Sequence, residues 1–345
     1  MLNFPIEFDQ INSLALRPFE NVHQLIKVLE SMSKNFNISR DKIHQNYIDE
    51  AKISAYLCYF FSTNILKISA CLDRLSPDLV SEIQHSNIID FGTGPGTTLI
   101  GLIHHYGEMS GDLIGIDTSE LMLKQARVLK DKYYANFKIK YQTDLDLLPS
   151  KNVTLIFSNS LNEVGSTYAN NLIKKIKPER ILLLEPGTKE SFSEVKKIQA
   201  ILYEQEYRVN YPCSKSLSCP LDDQNWCHQY INLRFSQSIE SLTQRMKKDR
   251  RNSPVIFHMY SKKEMTQNSN IVFRYLGENK YSFEFEVCNH ENIIEKHRVL
   301  KSSLKKLGVK KSKMKLFFLA GLEINLKIDK EITSNFFQSK LIITQ

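Results

Sequence analysis

The chain has 345 residues, 42% of them hydrophobic, with 46 Lys+Arg against 38 Asp+Glu and a formal charge of +8. That apolar content is ample for buried cores in two domains and excludes a fold that depends on disulfide staples, while the positive balance favours polyanionic partners. No apolar run of about 18 residues stands out, so no membrane-spanning helix is expected. The N-terminal "MLNFPIEFDQ" lacks both a signal-peptide core and the Arg-rich character of a transit peptide. These features predict an intracellular, cytoplasmic location rather than a mitochondrial one, and a monomer is expected. In a reducing compartment, clustered cysteines serve more often as metal ligands or reactive thiols than as disulfides.

Residues 1–80 read as a helical region: Phe19, Val22, Leu25, Ile26, Leu29 and Met32 recur with helical period and predict a packing stripe. Between residues 88 and 185 the short apolar runs "NIIDFG", "LIGIDTS", "FKIKYQT", "VTLIFSNS" and "RILLLEPG" alternate with amphipathic stretches such as "SELMLKQARVLKDKY". This alternation predicts an α/β, doubly wound parallel sheet. Further strands are expected at "VIFHMYSKK", "IVFRYLG" and "YSFEFEVC", with a linker near "TQNSN". The domains read as 1–80, helical; 81–265, Rossmann-like and including a cysteine-rich loop; and 266–345, small, basic and β-rich.

In "IIDFGTGPGTTLIGLI", Asp90, Gly92, Gly94 and Gly96 form D-x-G-x-G-x-G between a strand and a helix. Missing side chains at such a place let a ligand approach backbone N–H groups and a helix terminus. A second strand ends at Asp117, 21 residues beyond Gly96, where a carboxylate can accept from ribose hydroxyls. The spacing departs from the dinucleotide pattern G-x-G-x-x-G and resembles motif I of class I S-adenosylmethionine-dependent methyltransferases. That resemblance implies an adenine contact at Asp144, with Asp146 as a competing choice. It also implies substrate-facing residues in "NSLNEV". Asn159, Asn162 and Glu163 are therefore the catalytic-side candidates, against the plainer reading of helix capping. Methyl transfer needs an aligned nucleophile more than acid-base help, so no further catalytic signature is required.

Cys213, Cys219 and Cys227 are separated by five and seven residues, and Cys288 follows sixty residues later at a strand end. Three local thiolates and one distant one suit a tetrahedral zinc or an iron-sulfur cluster, and spacing does not choose between them. The intervening prolines and aspartates make a poor helix or strand, so a metal centre would supply order there. His228, next to Cys227, points to the opposite face of an extended chain and ranks behind the cysteines. Cys58 and Cys71 read as core residues.

Taken in order, "DFGTGPGT", "NSLNEV", "LLLEPGTKESF", "PCSKSLSCPL", "NWCHQ" and "VFRYLG...YSFEFEVC" resemble the mitochondrial small ribosomal subunit methyltransferase-like family and its bacterial relatives. The resemblance spans about residues 45 to 300. It implies a [4Fe-4S] cluster on Cys213, Cys219, Cys227 and Cys288, and a role in maturation of the small ribosomal subunit in contact with its rRNA. Asn225 stands where the family usually has Asp before the Trp-Cys-His run, and "SKSLS" departs from the family pattern between the first two cysteines. An RNA partner also fits the basic stretches at 245–251 and at 296–315, the latter with nine Lys or Arg and no acid. A solvated face is the plainer reading of either run alone. Phe317 and Phe318, in "MKLFFLAGLEINL", read as core-strand residues. The alternatives are a catalytically inactive rRNA-binding assembly factor and a small-molecule methyltransferase with a structural zinc.

Overall fold

The computed structural model describes residues 2, 4–37, 46–213, 215, 218–263 and 270–342. The linker expected at "TQNSN" lies, apart from Asn270, outside the described residues. Contacts group the chain into two compact units, Met1–Ser160 with Ile176–Pro178 and Ile231–Ser253, and Leu161–Lys175 with Glu179–Tyr230 and Pro254–Gln345.

The first unit carries β1 (Asn87–Phe91), β2 (Leu113–Ile116), β3 (Ile139–Gln142) and β4 (Val153–Ser158). They pair side by side as β3-β2-β1-β4, all parallel. β1, β2 and β4 are buried along nearly their whole length, as strands covered on both faces must be. The intervening helices start where the side chains allow. Ser119 accepts from Met122 N–H at the head of Glu120–Tyr133, and Ser76 accepts from Leu79 N–H with Pro77 in the first turn of Pro77–Gln84. The N-terminal region carries helices at Phe8–Asn12 and Val22–Asn37, and Leu25, Leu29 and Met32 are fully buried. The periodic stripe of Val22–Asn37 is thus a packing face.

One expectation needs correction. Glu50–Leu72 is a 23-residue helical stretch that is long and apolar enough, by composition, to cross a membrane. Its helical path runs through a π-helical segment, Tyr56–Phe61, and Ile53, Leu57, Cys58, Phe61, Ile68 and Cys71 are each no more than 1% exposed. Polar side chains at Ser54, Ser62 and Thr63 had hidden its length in the sequence. Burial makes it a core helix of the first unit.

The second unit carries β5 (Arg180–Pro186), β6 (Arg208–Tyr211), the first half of β7 (Gln229–Asn232) and most of β8 (Asn252–Ser261). β8 runs antiparallel between β5 and β6, and β7 pairs with β8. The same unit contains a closed barrel of β9 (Asn270–Glu278), β10 (Ser282–Cys288), β11 (Ile294–Leu300), β12 (Glu323–Thr333) and β13 (Phe336–Ile342). Its core is Val272, Phe283, Phe285, Val287, Val299, Leu304, Met314, Phe318, Ile324 and Leu341. Phe318 belongs to a 3-10 segment, Lys311–Phe318, rather than to the expected strand, which begins only at Glu323. Two of the apolar residues of "MKLFFLAGLEINL", Met314 and Phe318, still face the core, because a 3-10 turn can bury them just as a strand can. The side chain of Phe317 lies outside the described residues.

Phe318 is fully buried and stacks on Phe285 at 4.5 Å between ring centroids. Phe318→Ala should destabilise the barrel by about 3–5 kcal/mol, read as lost amide-exchange protection over β9 to β13. Leu316→Ala, at a 51% exposed position, should change stability by less than about 0.5 kcal/mol. Equal costs at the two positions would contradict this account of the barrel core.

Candidate cofactor pocket and cysteine site

At the carboxyl end of β1 the chain turns sharply. Gly92 and Thr93 both donate backbone N–H to Ile116 O, at 2.8 and 3.0 Å. Gly96, with φ +81, caps the helix Thr97–Tyr106, and a Cβ there would run into the Tyr141 hydroxyl. Gly94, with φ +54, has no atom within 4 Å of the place where its Cβ would be. The loop therefore packs tightly on one side and stays open at Gly94.

Asp90 is fully buried. Its Oδ2 accepts from the Thr93 hydroxyl at 2.6 Å, and its Oδ1 has no hydrogen-bond partner. Burial raises its pKa to about 7, opposed by the Thr93 hydrogen bond and reinforced by the Asp117 charge. Burial also raises the pKa of Asp117, against hydrogen bonds from two backbone N–H groups. Those donors are Ser119, to Oδ1, and Gly94, to Oδ2, each at 2.8 Å. Asp117 thus fastens the glycine loop to the end of β2, with roughly half of its acceptor capacity still open.

Tyr141 and Gln142, at the end of β3, were not singled out from the sequence. The Tyr141 hydroxyl and Gln142 Oε1 are buried without hydrogen-bond partners. Burial, then the Asp90 charge, pushes the Tyr141 pKa well up. Three buried, unsatisfied polar atoms, Asp90 Oδ1, Tyr141 OH and Gln142 Oε1, therefore sit at the carboxyl ends of β1 and β3. The one signal in the sequence was that polar residues end an apolar strand.

Asp144 is exposed, and its Oδ1 accepts from Asp146 N–H at 3.0 Å in a local Asx-type turn. Gln142 Nε2 holds that turn through Asp146 O at 2.8 Å. Asn159 follows β4 with φ +57, beside Ser160, whose hydroxyl donates to Phe91 O at 2.7 Å. Asn162 and Glu163 lie in the first turn of the helix Leu161–Ile176, in the second unit. Asp90, Gly92, Gly94, Gly96, Asp117, Asp144 and Asn159 all belong to the first unit.

In the second unit Cys213, Cys219, Cys227 and Cys288 all line one cavity. Cys213 follows β6, Cys227 precedes β7 and Cys288 ends β10. Burial raises the pKa of every one of these thiols, Cys288 to about 12. Their mutual repulsion as anions raises Cys213, Cys227 and Cys288 further. Gln199 hydrogen-bonds Cys213, and Leu221 N–H donates to Cys219. His258, fully buried with Nε2 unpartnered, lines the same cavity. Gln199 and His258 come from a helix and a strand far from the loop, so no local spacing pointed to them. Among the described residues, no three His, Cys, Asp or Glu side chains are close enough to hold a metal ion as they stand. The donor set is nevertheless chemically apt: four neighbouring thiolates in an apolar enclosure are stable only around concentrated positive charge. His228 lines a different cavity with Trp226, Tyr230, Arg274 and Tyr275. Cys58 and Cys71 are fully buried core residues.

The basic stretches are partly engaged by the protein itself. In 245–251, Arg250 donates to Tyr59 OH at 3.2 Å and lies over its ring, and Arg251 pairs with Asp249 at 2.9 Å. In 296–315, Lys296 and Arg298 bridge to Glu284, and Lys301 to Glu278. Lys305, Lys306, Lys310, Lys311, Lys313 and Lys315 are exposed.

The 3-2-1-4 parallel order, the glycine turn after β1, the acid ending β2 and the antiparallel strand inserted between β5 and β6 define a class I methyltransferase fold. Residues 50–311 match the family described as mitochondrial small ribosomal subunit Rsm22, and the chain belongs to that family. It is also similar to carboxy-S-adenosyl-L-methionine synthase of Methylococcus capsulatus, 26% identical over 151 residues, which are 40% of this chain and 62% of the relative. The chain thus spans less than two thirds of that relative's length. Among solved structures, it is similar to magnesium protoporphyrin IX methyltransferase from Synechocystis PCC 6803 with bound SAM. That likeness has 14% identity and a TM-score of 0.38, and covers 68% of this chain and 97% of the other. A second likeness is to TrmK from M. capricolum in complex with S-adenosyl-homocysteine, at 10% identity and TM-score 0.35, covering 58% and 70% of the two chains.

Because folded Asp90 keeps a proton that the unfolded chain releases, its contribution to stability is present below pH 4 and is lost as pH rises towards about 7. Asp90→Asn retains an acceptor for Thr93. It should raise the melting temperature of the cofactor-free protein by several degrees at pH 8 and leave it nearly unchanged at about pH 3.5. The same shift at both pH values would show that burial does not hold this carboxyl neutral.

Proposed function

We propose that the chain is an S-adenosylmethionine-binding, iron-sulfur-containing protein that methylates small-subunit rRNA during ribosome maturation. Three buried acceptors or hydroxyls without partners, Asp90 Oδ1, Tyr141 OH and Gln142 Oε1, carry the cofactor reading. They border an open glycine turn and are costly unless a ligand satisfies them. Asp90, Gly92, Gly94, Gly96, Asp117 and Asp144 are the proposed cofactor contacts. Bound there, the cofactor supplies an electrophilic methyl on a sulfonium. The chain's own contribution is alignment: Asp90 and Asp117 offer negative charge to a cationic ligand, and Asn159, Asn162 and Glu163 are the proposed substrate-side residues.

Four thiolates suit a zinc ion as well as a cluster, and the family resemblance favours a [4Fe-4S] cluster. Gln199 and the Leu221 N–H would then tune the cluster through hydrogen bonds to sulfur. The small subunit and its rRNA as partners rest on the family and on the exposed lysines of 305–315, which suit a phosphate backbone. The family is named for the mitochondrial subunit. The cytoplasmic expectation rests on the N-terminal composition alone.

Anaerobic purification should give about four iron and four sulfide per chain and no stoichiometric zinc. Cys288→Ser should lower the inorganic content and the melting temperature together. Zinc in place of iron would exclude the cluster, and an unchanged Cys288→Ser variant would exclude this ligand set. Labelled methyl should pass from S-adenosylmethionine to purified small subunits with the wild type and fall at least about 100-fold with Asp90→Ala. No transfer with RNA binding intact would leave a non-catalytic assembly factor.

A further inference from the structure

Counted within the barrel, β9 to β13 are its first to fifth strands, and they close in the order 1-2-3-5-4. The third and fifth run parallel and all other neighbours antiparallel. The helix Lys301–Lys306 lies between the third and fourth. This is the topology of the oligonucleotide/oligosaccharide-binding barrel. Where that barrel binds ligand, it uses the face of the second and third strands and the loops joining strands one to two and four to five. Topology alone assigns no ligand. The side chains on that face have to do so.

Alternation settles which side chains face out. β10 buries Phe283, Phe285 and Val287 and turns Glu284 and Glu286 outward, while β11 buries His297 and Val299 and turns Lys296 and Arg298 outward. Register then lines up Arg274, Glu286, Lys296 and Phe336 as one row across β9, β10, β11 and β13. Lys296 Nζ sits 4.4 Å and Arg298 Cζ 5.0 Å from the centroid of the Phe336 ring. At the other end of β11, Lys301 N–H donates to Tyr281 O in the loop between the first two strands. Tyr281 is 68% exposed, with Lys280 Nζ 5.4 Å from its ring centroid. Tyr281 precedes β10, in the loop that joins the first two strands and about five residues along β11 from Phe336, roughly 16 Å, where strand alternation no longer sets the direction of a side chain. Residues 270–342 hold fourteen Lys or Arg against eight Asp or Glu, and so carry six of the chain's eight net positive charges.

We infer that this barrel face binds single-stranded RNA, with bases stacking on Phe336 and Tyr281 and phosphates meeting Lys296, Arg298 and Lys280. The cations lie over the rings, so a base stacks on the ring face that the cation leaves open while its phosphate meets the same cation, which suits a strand whose bases are splayed out. A neutral oligosaccharide carries no charge with which to engage Lys280 or to replace Glu284 at Lys296 and Arg298. Glu284 opposes the ligand, because it already occupies Lys296 and Arg298 at 2.8 Å each. A phosphate must displace it, so the carboxylate acts as an internal competitor. The inference rests on RNA being the partner proposed above and adds the place and strandedness of its binding.

The test is fluorescence anisotropy of a labelled single-stranded RNA of about 12 nucleotides with the full-length, cluster-loaded protein at two salt concentrations. Replacing Phe336 and Tyr281 together by Ala should weaken binding by about tenfold or more. Replacing Lys296 and Arg298 by Ala should weaken it and reduce the salt dependence by about two ions. Glu284→Gln, which keeps the size of the side chain, should tighten binding severalfold and stays informative if the double aromatic variant fails to fold. Unchanged or weaker binding by Glu284→Gln would overturn the inference, as would equal affinity for duplex RNA or for polyglutamate. If only alanine substitution of Lys305, Lys306, Lys310, Lys311 and Lys313 abolishes binding, the barrel face is wrong while RNA as partner stands. If the wild type binds no RNA at all, both readings fall.

Discussion

Four cysteine thiols facing one apolar cavity constrain the second unit more than any other contact. Cys213 leaves β6, Cys219 sits in a loop with no regular structure, Cys227 enters β7 and Cys288 ends a barrel strand. A thiol is a small hydrophobe and packs well in such a place. Four thiolates do not, since each is desolvated and three of them are raised further by neighbouring thiolate charge. The site is therefore comfortable when protonated and becomes a strong ligand set only when metal charge replaces the protons. A metal bound there would tie the end of β10 to the cysteine loop, a segment with little core of its own.

The first unit stores a comparable tension at Asp90. A carboxyl with no exposed surface is held near neutrality by burial, with one oxygen on Thr93 and the other left without a donor. Asp117 spends part of its own capacity on the Gly94 N–H, which fixes the glycine turn before any ligand arrives. Such a pocket is partly preorganised, and its remaining electrostatic cost is relieved by a cationic ligand. The same burial that makes Asp90 unfavourable in the free protein makes it a strong partner once charge is brought to it.

Several functional groups were legible because they obey local rules. Gly92, Gly94 and Gly96 occupy positions whose positive φ few other residues adopt, so a strand-to-helix turn announces itself by composition. The cysteines announced themselves by rarity and spacing. Tyr141, Gln142, Gln199 and His258 did not, because each belongs to a regular element and owes its role to what other elements place against it. The basic run at 296–315 was legible as charge but not as a surface. Only cross-strand register shows that Glu284 neutralises Lys296 and Arg298 while the lysines at 305–315 remain exposed.

Local information in the chain determined which segments become strands and helices, where the glycine turn falls and which residue types could hold a cofactor or a metal. Backbone propensity and side-chain periodicity act over a few residues, so one-dimensional reading captures them. The tertiary structure alone decided that four distant cysteines share a cavity, that burial raises the Asp90 pKa to about 7, and that five β-strands close in the order of an oligonucleotide-binding barrel. Those outcomes depend on burial and on non-local pairing. The same aspartate or lysine has opposite chemistry according to the dielectric and the countercharge that the fold brings to it.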